Sequence, residues 1–162
     1  MYDMPTLPEP ENQPLGYLLY RVQSVLQPAA TAALRPLGIT LTEFVCMKLL
    51  FAYPGLSNAQ LARANNVTAQ SMNTVLQHLE DMGAVARPAS VDSGRALPAQ
   101  LTKQGRALLK RAEAVAAVTE DQVLVDLSQA QRRQLKRLLA AIGAPAAAIP
   151  AVAGDGPRPG RR

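Results

Sequence analysis

Residues 57–102 read SNAQLARANNVTAQSMNTVLQHLEDMGAVARPASVDSGRALPAQLT, and this stretch decides the fold. Ser57 and Gln60 have capping-box spacing, so a helix starts at a residue able to satisfy its orphan amides. Asn65-Asn66 supplies turn chemistry tolerant of left-handed backbone. Thr68 caps a second helix whose core face is Met72, Val75, Leu76, Leu79 and Met82, and Gly83 is placed to stop it. AVARP and LPAQL then read as short strands over 84–88 and 97–101, joined by 89–96 with Gly94 in the turn. Pro88 and Pro98 are awkward in a sheet centre but tolerable in a hairpin whose strands are both edges. Helix, tight turn, helix and hairpin follow one another as they do in a winged helix-turn-helix.

The flanks extend this pattern with helices. Upstream, Leu15, Leu18, Leu19, Val22, Val25 and Leu26 follow helical spacing, and Pro28 predicts a kink near Ser24–Gln27 or a break. Thr40 and Glu43 have capping-box spacing, and Val45, Cys46, Leu49 and Leu50 give the next helix its buried stripe before Tyr53-Pro54-Gly55 ends it. Downstream, Thr102 caps a fifth helix running to about Asp126. Ser128-x-x-Gln131 caps a sixth, with Leu135, Leu138, Leu139 and Ile142 on one face. Residues 1–14, with four prolines, read as an extended or disordered arm, and 144–162 as a disordered Pro/Gly/Ala tail. The fold class is mainly α with a small β-hairpin, in one domain over 15–143. Within it, about 40–102 holds the winged helix-turn-helix, flanked by helices at about 15–35 and 103–142.

The formal charge is +5 over 162 residues. The acid of Asp3, Glu9 and Glu11 sits in the first 14 residues, so the span 15–143 is basic and suits a polyanion partner. A single cysteine excludes an intrachain disulfide, and no apolar run approaches the ~18–20 residues that span a bilayer. The acidic, Pro-rich start is unlike a signal or transit peptide, so a cytoplasmic location is expected. One His and one Cys cannot build a His/Cys metal cluster, and no glycine-rich phosphate loop or nucleophile elbow is present. Neither enzyme activity nor a metal or cofactor is expected.

If the fourth helix buries its apolar face, the opposite face shows Gln70, Ser71, Asn73, Thr74, Gln77 and His78. Asn and Gln can pair with adenine, while Ser and Thr adapt to several bases. This helix has no Lys or Arg, so phosphate anchoring falls to Arg63, Arg87, Arg95 and Lys103, which flank it. Neutral readers between basic anchors fit the rule that phosphate contacts position and base contacts specify. Arg95, beside Gly94 at the hairpin tip, is placed to enter a minor groove. Arg87 at the hairpin base is read as a phosphate or an intramolecular partner. A wet face on an ordinary surface helix is the plainer reading of any one of these residues; the order and spacing of the whole unit favour DNA.

With LGITLTEFVCMKLL, LSNAQLARANNVTAQSMNTVLQHLEDMGAV, the wing DSGRA and LTKQGRALLKRA in sequence, the chain resembles the MarR family of winged-helix regulators over about 15–142. The resemblance implies a homodimer held by the first, fifth and sixth helices and bound to a pseudo-palindromic double-stranded DNA operator. It also implies control by a small ligand or oxidant acting between the dimerisation and DNA-binding regions. The chain departs from the family pattern in its wing. Ser93 stands two positions before Arg95 where an aspartate is usual, with Asp92 one further back, and Leu97 replaces a common second arginine.

Two sensing sites are considered. Tyr17, Tyr20 and Arg21 are able to line a pocket for an aromatic or anionic effector, or else serve as packing and surface residues. Cys46 on the buried stripe reads as a small hydrophobe, with oxidant sensing as the alternative. The expected function is a DNA-binding, ligand-responsive transcriptional repressor. The alternatives are a protein-interaction module without DNA binding, and a redox-sensing regulator that uses Cys46.

Overall fold

Side-chain caps fix where five of the helices begin, because each offers an oxygen to an amide that the helix itself leaves unpaired. The computed structural model describes residues 9–87 and 98–142. Its helices are α1 (Leu15–Leu34), α2 (Leu41–Ala52), α3 (Asn58–Ala64), α4 (Ala69–Asp81), α5 (Lys103–Val123) and α6 (Gln129–Ile142). Thr40 with Glu43 and Ser57 with Gln60 form complete capping boxes on α2 and α3. Thr68 accepts from Ser71 N on α4, Thr102 from Gly105 N on α5, and Ser128 from Gln131 N on α6. The turn signals also act as the sequence predicts: Asn66 has φ 53°, and Gly83 has φ 69° beyond the end of α4.

Leu34, Met47, Leu56, Leu61, Met72, Leu76 and Leu79 are fully buried and form one core with Cys46. Burying each large aliphatic side chain stabilises the fold by roughly 1.5–3 kcal/mol. On α4 the expected core face holds, with Met72, Leu76 and Leu79 buried and Val75 and Met82 packed at its edge. On α2 the stripe is displaced: Glu43, Cys46, Met47 and Leu50 are buried, while Val45 and Leu49 are only partly so.

Two further expectations are corrected. Pro28 does not break the first helix, which runs unbroken from Leu15 to Leu34. Proline there withholds one N–H from the carbonyl of Ser24, an exposed residue that water can reach, and α1 packs chiefly along α5. The hairpin is also shorter than 84–88 and 97–101. Among the described residues only β1 (Val85–Ala86) and β2 (Gln100–Leu101) pair, antiparallel, with Val85 opposite Leu101. Pro98 has no N–H with which to extend the ladder. Pro10–Asn12 form a short 3-10 turn within the expected N-terminal arm. Residues 1–8 of that arm, the hairpin tip with Arg95 and the C-terminal tail fall outside the described residues. No described helix is long and apolar enough to cross a membrane.

α6 is amphipathic yet has no buried residue, and it is not closely packed on any other element. Ion pairs tie it to α5 instead, Lys136 to Glu120 and Arg132 to Asp121. On α1 only Leu34 is buried, which leaves Leu15, Leu19, Val22 and Val25 exposed.

Candidate nucleic-acid interface

The reading face of α4 follows from its buried one. With Met72, Leu76 and Leu79 in the core, Gln70, Ser71, Asn73, Thr74, Gln77 and His78 all stand exposed. The helix is held at both ends. At its start Asn58 Nδ2 donates to Ala69 O at 3.2 Å, coupling α3 to the first turn of α4. Beyond its end Ala84 N donates to Leu79 O at 2.9 Å.

The six exposed side chains are not equally free. Ser71 Oγ lies 2.8 Å from the capping hydroxyl of Thr68, and Gln77 Nε2 donates to Asp81 Oδ1 at 3.0 Å. Thr74 Oγ1 donates to Gln70 O at 3.4 Å. His78 differs most from expectation, because its Nδ1 sits 2.5 Å from Oε1 of the buried Glu43. That partner lies 35 residues away and was not foreseen. The capping box marked Glu43 as a helix start, but no local signal connects it to α4.

Among the expected anchors, Arg63 at the end of α3 and Lys103 in the first turn of α5 are exposed. Arg87 pairs with Glu80 at 2.7 Å, the intramolecular role allowed for it above. A phosphate contact by Arg87 therefore competes with a carboxylate already in place.

A second concave site lies away from α4. α1, α2, α5 and α6 enclose a largely apolar cleft of about 410 Å3, with Val22, Leu26, Leu41, Phe44, Leu124 and Leu135 among its walls. Its polar lining is Gln23, Gln27, Thr119 and the Glu120–Lys136 pair, whose oxygen and nitrogen are 2.5 Å apart. None of Tyr17, Tyr20, Arg21 and Cys46 lines it. The cleft begins at Val22, on a different face of α1 from the tyrosines, which remain exposed, with the Arg21 guanidinium 6.0 Å from the Tyr17 ring centre. Cys46 follows Phe44 by two positions and so points into the core instead. Burial pushes its thiol up to about 12, and the neighbouring Glu43 carboxylate adds to the effect. Nothing there activates a thiolate, so the redox reading of Cys46 loses its physical basis. Among the described residues no group of three or more His, Cys, Asp or Glu could hold a metal ion.

A helix-turn-helix with a polar reading face, followed by a strand pair, matches known proteins closely. The MarR family model matches residues 39–97. The HTH-type transcriptional repressor Rv2887 of Mycobacterium tuberculosis is 60% identical over 133 residues, covering 82% of this chain and 96% of that protein. The chain belongs to the MarR family. The crystal structure of the M. tuberculosis MarR family protein Rv2887 in complex with salicylic acid superposes with a TM-score of 0.71 at 60% identity, over 82% of this chain and 98% of that one. The same protein in complex with DNA gives a TM-score of 0.71 at 56% identity, over 82% and 99% of the two chains. The overall fold of this MarR family member is thus shared with solved relatives.

Proposed function

We propose that this chain is a homodimeric transcriptional repressor that binds a pseudo-palindromic operator and is released by a small aromatic carboxylate. The observation that carries the reading is the uncharged polar face of α4, presented between basic groups in a chain 60% identical to a repressor. Gln70, Ser71, Asn73, Thr74 and Gln77 are the base-reading candidates. Arg63 and Lys103, with Arg95 of the wing, are the backbone anchors, and Arg87 joins them if it exchanges Glu80 for a phosphate. The helices over 15–35 and 103–142 are the dimerisation part and 40–102 the DNA-binding part. Such a protein works in the cytoplasm, beside the chromosome, and needs no catalytic group.

Footprinting on the gene's own upstream region at two salt concentrations tests this. A protected palindrome is expected, with log affinity falling by about 0.9 per phosphate contact for each log unit of salt. Arg95→Ala should weaken binding on every sequence, whereas Asn73→Ala or Gln77→Ala should relax preference at one position, each by about 1–3 kcal/mol. Absence of a protected palindrome, or an affinity indifferent to salt, would falsify the reading. Identical behaviour of the three variants would abolish the division between readers and anchors.

The effector reading rests on the cleft between α1, α2, α5 and α6. An aromatic ring suits its apolar walls, and Lys136 at the rim is able to exchange Glu120 for a ligand carboxylate. Support comes from the relative solved with salicylic acid and with p-aminosalicylic acid. Lys136→Gln should weaken salicylate binding about fivefold, worth ~1 kcal/mol for a solvent-accessible charge pair. Salicylamide, which lacks the charge, should bind both proteins alike in calorimetry. Equal losses for the two compounds would move the carboxylate away from Lys136.

A further inference from the structure

Of the polar links that hold α4, the one that joins it to α2 is not explained by base reading. Glu43 on α2 is only 4% exposed, and both its carboxylate oxygens are engaged. Oε2 accepts from Thr40 N at 2.6 Å, and Oε1 faces Nδ1 of His78 at 2.5 Å. A carboxylate oxygen can only accept, so Nδ1 carries the proton of this bond. The same turn of α2 supplies Leu41 and Phe44 to the cleft wall. One helical turn thus meets the cleft on one side and the last turn of α4 on the other.

We propose that His78 is a positioning residue, which makes α4 follow α2 when the cleft is filled. The apolar contacts of α4 with the core run through Met72, Val75, Leu76 and Leu79, and its other polar links, to Asn58 and Arg87, do not reach α2. Apolar contact is non-directional and lets a helix slide or turn a little. A hydrogen bond has a narrow range of distance and angle, so it fixes the rotation of α4 about its own axis. Glu43, being buried, cannot replace His78 with bulk water at no cost, so a shift of α2 carries the end of α4 with it. The coupling between the sites is then a differential one. Occupied and empty clefts place Leu41 and Phe44 differently, and Glu43–His78 converts that difference into an altered aim of the reading face. This rests on the effector reading of the cleft given above.

Two substitutions separate positioning from reading. In His78→Asn the side-chain Nδ2 takes the place of Nδ1 and still donates to Glu43, but the outer Nε2 is gone. His78→Ala loses both. Any direct contact of Nε2 with DNA is therefore absent from the two variants equally. With the full-length dimer, salicylate as probe and the footprinted operator, three quantities are measured: salicylate affinity, operator affinity without salicylate, and the fold loss of operator affinity at saturating salicylate. In the wild type that loss is expected to be about tenfold or more, within the range of ordinary allosteric coupling. His78→Asn should keep at least half of it on a logarithmic scale, and His78→Ala should fall below about twofold while still binding salicylate. Equal responses from the two variants would overturn the proposal, whether both respond or neither does. A wild-type protein that binds salicylate without losing operator affinity, or does not bind it at all, would overturn the effector reading and this proposal together.

Discussion

Replacing Gly105 with alanine will lower the melting temperature by roughly 6 °C, although helix propensity alone predicts a gain. Gly to Ala inside a helix stabilises by about 1 kcal/mol when nothing opposes it. At Gly105 a backbone opposes it. An added Cβ would lie 1.9 Å from the carbonyl oxygen of Ala84 and 2.8 Å from its carbon. The approach is that close because the cap of α5 is also the anchor of the wing base. Thr102 N donates to Ala84 O at 3.1 Å, and its hydroxyl donates to Gly83 O at 2.7 Å. Ala84 cannot retreat, since its own N–H is bonded to Leu79 O and its neighbour Val85 is paired with Leu101. The methyl must therefore push α5 away from the end of α4. Overpacking of this kind costs about 3 kcal/mol, which outweighs the propensity gain and corresponds to ~2–4 °C per kcal/mol in a chain of this length. Thermal unfolding at fixed protein concentration checks it. A melting temperature within 2 °C of the wild type would mean that α5 does not rest against Ala84. Operator binding should fall as well, because the displaced segment carries the end of the reading helix.

The features that could be read from sequence are those whose causes are local. Thr40, Ser57, Thr68, Thr102 and Ser128 cap helices through residues three positions away, so the sequence pattern contains the whole interaction. The core face of α4 was legible for a similar reason, because period and composition agree along its 13 residues. The continuity of α1 past Pro28 was not legible, because the proline's penalty is local while the packing of α1 on α5 that offsets it is not. Glu43 was legible only in part: its capping role is local, but its burial against Cys46 and His78 depends on the packing of α2 on α4. The cleft draws on four helices separated by up to a hundred residues, so Tyr17 and Tyr20 were chosen for their chemistry, and their position on the helix places them outside it. The exposed polar face of α4 was legible, while the bond between His78 and Glu43 was not.

Placing glutamate at both Leu138 and Ile142 should halve the mass of the protein in solution and lower operator affinity by at least about a hundredfold. In a single chain these side chains are 56% and 67% exposed, and substituting them there should change stability by no more than about 0.5 kcal/mol. Any larger effect reports on a surface that covers them. α6 buries none of its residues within the chain, and the apolar positions Leu15, Leu19, Val22 and Val25 of α1 are also left uncovered. A two-fold axis presents the same patch from both protomers, so the double substitution introduces four carboxylates into one seam. Burying unpaired carboxylates costs several kcal/mol each, enough to dissociate an interface of ordinary strength. The loss on DNA then follows from geometry. Two reading helices held about one turn of duplex apart bind as a bivalent unit, and the second contact benefits from a high effective concentration worth about 10²–10⁴ in affinity. A monomer with an intact α4 forfeits that gain while keeping its fold and its base preference. Phe51→Glu is the matched control. Phe51 is 62% exposed on α2, outside the α1–α6 surface, and its substitution should leave the dimer intact. Light scattering that finds the Leu138/Ile142 variant still dimeric would move the seam away from α6, and the bivalent account of operator binding would need a different pair of faces.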